Sequence, residues 1–107
     1  FSVYNALGFG HKEQVYQEAL GKELDDTNIP YKREETLSVK YKGNMVGSYR
    51  PDFVVDEKVI LELKAVDFMP KLFETQLLQY LKTTGFSLGL LINFGTPRIQ
   101  IRRLIWG

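Results

Sequence analysis

The sequence contains no cysteine among its 107 residues, which excludes disulfides and thiolate metal sites. It has one histidine, His11, read as a solvent-exposed residue at the start of a helix. No apolar run approaches the length of a membrane span, and no N-terminal segment resembles a signal peptide. Net charge is only +1, so the field of the whole molecule does not hold a polyanion and any nucleic-acid contact must use local patches. There are no repeats, no low-complexity tract and no linker long enough to divide the chain. The lack of cysteine suits a reducing cytoplasm, the expected location, and no membrane partner is expected. The chain begins at Phe1 without Met, which is expected to mark a trimmed or processed N-terminus.

What remains is ordinary for a folded domain: 44% hydrophobic and 25% charged residues, a balance that supports one core. A chain of this length fits a single domain, residues 1–107. Phe1 to Leu7 reads as the end of a helix broken by Gly8-Phe9-Gly10. His11 to Asp26 has helical spacing, with Val15, Tyr16, Ala19, Leu20 and Leu24 on one stripe, and Asn28-Ile29-Pro30 stops it. Thr36 to Lys42 alternates as a strand and turns at Lys42-Gly43-Asn44. A second strand is expected from Met45 to Val55, bent near Gly47 or Pro51, and a third from Val59 to Lys64. Asp67 and Pro70 lead into a second helix. Its apolar stripe is Leu72, Phe73, Leu77, Tyr80 and Leu81, and Gly85 ends it. Phe86 to Phe94 reads as a buried strand and Arg98 to Leu104 as a last one. The first three strands are expected to form an antiparallel meander. The helix between strands three and four permits a crossover to a parallel neighbour. The fold class is α/β, a mixed sheet with a helix packed on it.

The stretch Tyr49-Arg50-Pro51-Asp52-Phe53-Val54-Val55 through Leu61-Glu62-Leu63-Lys64-Ala65 puts charges in strand positions. Side chains alternate along a strand, so Glu62 and Lys64 share a face and Leu61 and Leu63 share the other. With the turn centred near Glu57, Asp52 lies opposite Glu62, and cross-strand partners have Cβ atoms about 4.5–5.5 Å apart. Carboxylates that close repel unless a cation lies between them or one takes up a proton. A hard divalent ion such as Mg²⁺ is commonly held by one or two carboxylates plus a substrate phosphate. Lys64 beside it would orient a water or offset phosphate charge, an arrangement suited to phosphodiester hydrolysis. On spacing alone the opposite reading leads: Glu62 and Lys64 as a solvated pair worth under about 1 kcal/mol.

Two helical stretches bear on that choice. Glu13 falls between Leu20 and Leu24 on the helical wheel, where a carboxylate needs a partner or a metal; a first-turn acid favoured by the helix dipole is the plainer account. Gln76 and Tyr80 are four apart and share the apolar face with Phe73 and Leu77. Buried there, both need hydrogen-bond partners, whether in a site or as one satisfied pair in a core helix.

Gly10-x-x-Glu13-x-x-Tyr16 resembles the signature of the GxxExxY proteins, a branch of the PD-(D/E)XK nuclease-like superfamily. The resemblance continues through Pro51-Asp52, Glu62-Leu63-Lys64, Gln76-x-x-x-Tyr80-Leu81 and Gly89-Leu90-Leu91-Ile92-Asn93-Phe94-Gly95, in order over nearly the whole chain. It implies an αβββαβ restriction-endonuclease-like core. It implies Mg²⁺, with Mn²⁺ able to substitute, held by Asp52, Glu62 and the Leu63 backbone carbonyl, with Lys64 assisting the attacking water. Glu13 resembles an acid that some branches add to the metal site. Gln76 and Tyr80 resemble a motif lining the site in exonuclease branches. Arg50 is the phosphate contact suggested by position. The implied partner is nucleic acid, DNA ahead of RNA. Family members carry more N-terminal helix than Phe1 to Leu7 supplies, so part of a first helical hairpin is expected to be missing.

The expected function is therefore a Mg²⁺-dependent nuclease. The alternative is a catalytically silent module of the same fold that binds nucleic acid or a protein. Arg98, Arg102 and Arg103 form the best local basic feature, with protection of an edge strand as the competing reading. Ile105 and Trp106 could form a sticky end for assembly, although a lone terminal Trp usually packs on its own core.

Overall fold

A computed structural model describes all of residues 1–107. A short helix, α1 (Ser2–Leu7), precedes α2 (Glu13–Thr27), and then come strands β1 (Tyr31–Arg33), β2 (Leu37–Tyr41), β3 (Asn44–Tyr49), β4 (Phe53–Val55) and β5 (Val59–Lys64). Helix α3 (Lys71–Thr84) leads to β6 (Leu88–Asn93) and β7 (Gln100–Ile105). Five strands form one sheet in the order β1-β4-β5-β6-β7, while β2 and β3 pair only with each other. β5 and β6 are parallel, joined by α3 as the crossover, and every other neighbouring pair is antiparallel. The expected mixed α/β sheet with a crossover helix is thus present.

The meander is not. The stretch from Met45 to Val55 is two strands in two sheets, rather than one bent strand. Pro51 is fully buried between them; with no N–H to donate, it cannot continue a ladder. The chain leaves the β2–β3 hairpin at Tyr49 and enters the large sheet at Phe53, which leaves Asp52 at the gap. β1 was not anticipated, because three residues are too few to show alternation. Its Tyr31–Arg33 register opposite β4 makes it an edge strand.

Alternation along β5 sorts the core into two layers. Leu61 and Leu63 point to the α1–α2 side and pack with Val3, Tyr16, Phe53 and Phe94. Ile60 points to the α3 side and packs with Tyr49, Leu77, Leu81 and Leu91. Leu37 and Val39 of the hairpin pack against this second layer. Burying a side chain of this size stabilises by about 1.5–3 kcal/mol, so each layer holds its helix to its face of the sheet.

Both long helices stop where the sequence says. Asn28 takes a left-handed conformation after α2 (φ 60°). Gly85 does the same after α3 (φ 85°) and donates its N–H to the Leu81 carbonyl. Two apolar stripe residues are exposed instead, Val15 and Leu72. No helix is long and apolar enough to cross a membrane.

Candidate active site

β5 runs on past the first residue of its antiparallel neighbour β4, and this mismatch builds the site. Phe53 pairs with Leu61, so Asp52 comes next to Glu62 just beyond the ladder. There the two strands bond through carboxylates instead of carbonyls. The Asp52 N–H donates to Glu62 Oε1 (3.2 Å) and the Leu63 N–H donates to Asp52 Oδ2 (2.7 Å). The N–H and C=O of a strand residue point to the same edge, so the Leu63 carbonyl is directed to the side where Asp52 lies.

Two further side chains hold these acids, and sequence reasoning missed both. Tyr49 Oη donates to Glu62 Oε1 at 2.8 Å. Gln17 Nε2 donates to Asp52 Oδ1 at 3.2 Å. Gln17 stands four residues after Glu13, on the same helix face, and that spacing was the signal that could have found it. Tyr49 gave less warning: an aromatic hydroxyl two residues before a proline, on a strand of the other sheet.

On the α3 side Glu62 and Lys64 line a small cleft with Tyr49, Phe73, Gln76, Leu77, Tyr80 and Leu91. Its volume is about 50 Å³, room for a few water molecules. Lys64 Nζ lies 4.5 Å from the centre of the Phe73 ring, a cation–π contact that braces the ammonium. Gln76 is exposed at the rim rather than buried, because α3 turns Leu77 and Leu81 to the sheet. Tyr80 stacks on Tyr49, ring centroids 3.7 Å apart and planes 5° from parallel.

Glu13 is exposed rather than set in the apolar stripe. It is the first residue of α2, ahead of the turn that Tyr16 anchors. Tyr16 is fully buried, stacks on Phe94 (4.4 Å) and donates its hydroxyl to the Gly8 carbonyl at 2.6 Å. In the Gly-x-x-Glu-x-x-Tyr segment the tyrosine therefore fixes the α1–α2 turn. Arg50 is exposed. His11, also exposed, packs edge-on against Tyr16.

The acids disturb one another. Burial pushes the Glu62 carboxyl up to about 7, and the Asp52 charge adds to the rise; hydrogen bonds from Tyr49 and the Asp52 N–H oppose it, as does Lys64. Burial also raises Asp52, against the Leu63 N–H and Lys64. Partial desolvation and the Asp52 charge raise Glu13. Burial and the Glu62 charge push the Tyr49 hydroxyl far up, so Tyr49 remains a donor. Carboxyls raised in this way are poised to accept either a proton or a cation.

Glu13 opens α2 on the Asp52 side of this corner, where the Asp52 and Lys64 charges both act on it. The donors available are two carboxylates at one corner. That set fits a hard ion such as Mg²⁺, which keeps several waters, and it fits poorly a zinc-type site that needs nitrogen or sulfur.

At the far end of the sheet, β7 is the edge strand. Arg102 reaches Glu74 of α3 at 3.7 Å, while Arg98 precedes the strand. Trp106 packs under Lys82 Nζ of α3, 5.3 Å from its ring centre.

Comparison with known proteins agrees with this architecture. A family model described as the PD-(D/E)XK nuclease superfamily matches residues 1–104. A solved structure titled "Crystal structure of SSO0001" superposes with a TM-score of 0.60 at 20% identity, over 86% of this chain and 48% of that one. The likeness is one of fold, and the chain spans about half the length of that structure. No curated protein matches the chain.

Proposed function

The chain belongs to the PD-(D/E)XK nuclease superfamily, and from that premise we propose that it is a metal-dependent nuclease hydrolysing phosphodiester bonds. The observation that carries this reading is the locked corner of β4 and β5, where each carboxylate accepts a backbone N–H from beside the other. Charge is desolvated there beside the one lysine of the cleft.

In this reading Asp52 and Glu62 hold Mg²⁺ or Mn²⁺, with the Leu63 carbonyl beside them. When bound, such an ion supplies Lewis-acid stabilisation of charge developing on the phosphoryl oxygens. Lys64, braced by Phe73, orients the attacking water and offsets phosphate charge. Glu13 stands close enough to feel the Asp52 charge and adds negative potential on the α2 side. Gln76 and Tyr80 line the cleft from α3. Arg50 meets a neighbouring phosphate, which positions nucleic acid without reading its bases. DNA is the first substrate to try, ahead of RNA.

The test is incubation of the purified protein with single- and double-stranded DNA and RNA, with Mg²⁺, Mn²⁺ or EDTA, beside Asp52→Ala and Lys64→Ala. Metal-dependent cleavage is expected, reduced about 10²-fold or more in each variant. Cleavage that persists in both variants would remove the proposed site. Metal-dependent binding without cleavage would make the chain a binding module.

A further inference from the structure

A glutamate that is to serve as a ligand must hold its carboxylate still. Left alone, the terminal torsion of Glu is broad and roughly two-fold. Glu62 is not left alone. Its Oε1 accepts two hydrogen bonds, from Tyr49 Oη at 2.8 Å and from the Asp52 N–H at 3.2 Å. These donors lie on either side of Pro51, so together they fix the carboxylate plane. Glu62 Oε2 makes no hydrogen bond within the chain.

Tyr49 is itself fixed. It is 9% exposed, and its ring lies flat on that of Tyr80. The Tyr80 hydroxyl has no hydrogen-bond partner in the chain. Tyr49 is also the last residue of β3, so its hydroxyl ties the separate hairpin sheet to the end of β5.

We propose that Tyr49 is a positioning residue for Glu62: its hydroxyl holds Oε1 and leaves Oε2 to the ion, while Tyr80 serves by stacking on Tyr49 rather than through its own hydroxyl. The proposal rests on the nuclease reading. It gives the Gln76-x-x-x-Tyr80 segment a mechanical task, since the ring of Tyr80 keeps the donor aimed. Removing an outer partner of a metal ligand typically weakens affinity 10–100-fold.

The experiment is Mn²⁺ titration by calorimetry, with thermal melting of each metal-free protein. It compares wild type with Tyr49→Phe, Tyr80→Ala and Tyr80→Phe. Wild type is expected to bind, and Tyr49→Phe to bind about 10-fold more weakly while melting cooperatively. Tyr80→Ala is expected to weaken binding and Tyr80→Phe to restore it, because the ring alone matters. A merely structural Tyr49 would change melting and leave affinity alone. Equal affinity in wild type and Tyr49→Phe therefore overturns the proposal and leaves the nuclease reading standing. If Tyr49→Phe does not fold, the Tyr80 pair decides, and equal affinity in the two overturns it. Failure of wild type itself to bind Mn²⁺ removes the nuclease reading and this inference together.

Discussion

Replacing Glu62 by Gln tests the electrostatics of the corner without any metal. The amide keeps an oxygen for Tyr49 and the Asp52 N–H but cannot ionise. In the folded wild type, burial and the Asp52 charge raise the Glu62 carboxyl from an ordinary 4.5 to about 7. Between those values the folded chain holds a proton that the unfolded chain has released. Stability from this group is therefore fully present below pH 4.5 and is lost as pH rises through about 7. At about 1.4 kcal/mol per tenfold change in proton affinity, the loss is about 3 kcal/mol. Glu62→Gln has no such loss. Asp52 and Glu13 are raised as well, and the difference between the two proteins reports Glu62 together with its coupling to Asp52. Urea denaturation in EDTA from pH 4.5 to 8 is the assay. The variant's stability relative to wild type should grow by about 3 kcal/mol across that range, a melting shift of about 10 °C or more for a domain this size. Mg²⁺ at pH 8 should then stabilise wild type and not the variant. A difference that stays flat with pH would refute the claim that Glu62 is held in a desolvated, acid-facing position.

Three other substitutions have expected outcomes. Asn93→Ala removes a fully buried amide that bonds the Val66 N–H and carbonyl, the Gly95 N–H and Gln100; urea denaturation should show a loss of about 3 kcal/mol from the groups left unpaired. At Gly95 an added Cβ would land on the backbone of Ala65 and Val66. Gly95→Ala should therefore cost more than about 3 kcal/mol or prevent folding, read as loss of cooperative melting. Arg50→Ala should weaken nucleic-acid binding and lower the salt slope by about 1, with little change in melting.

The parts legible in sequence were those governed by local period and punctuation. β5 lies at Val59–Lys64 as its alternation implied, and α3 ends at Gly85 because a left-handed cap favours glycine. The same alternation put Glu62 and Lys64 on one face, and the short turn brought Asp52 next to Glu62. The rest depended on where segments go in space. Nothing local says that β3 leaves for a separate sheet. Pro51 marked a break, yet a break within one strand and a break between sheets look alike in sequence. Once β3 departs, Tyr49 returns to the site from the hairpin, and no sequence period links it to Glu62. Glu13 and Gln76 were placed on apolar arcs by the helical wheel, but in the folded chain both are exposed. Gln17, one turn further along α2, makes the hydrogen bond that Glu13 does not.

One corner of the sheet, formed by Asp52 and Glu62, is expected to hold a divalent cation. Crystals soaked in Mn²⁺ and measured for anomalous scattering address that corner directly. The expected result is a peak bounded by Asp52, Glu62 and the Leu63 carbonyl, absent from Asp52→Ala crystals. A peak elsewhere, or none at a saturating concentration, would contradict the assignment.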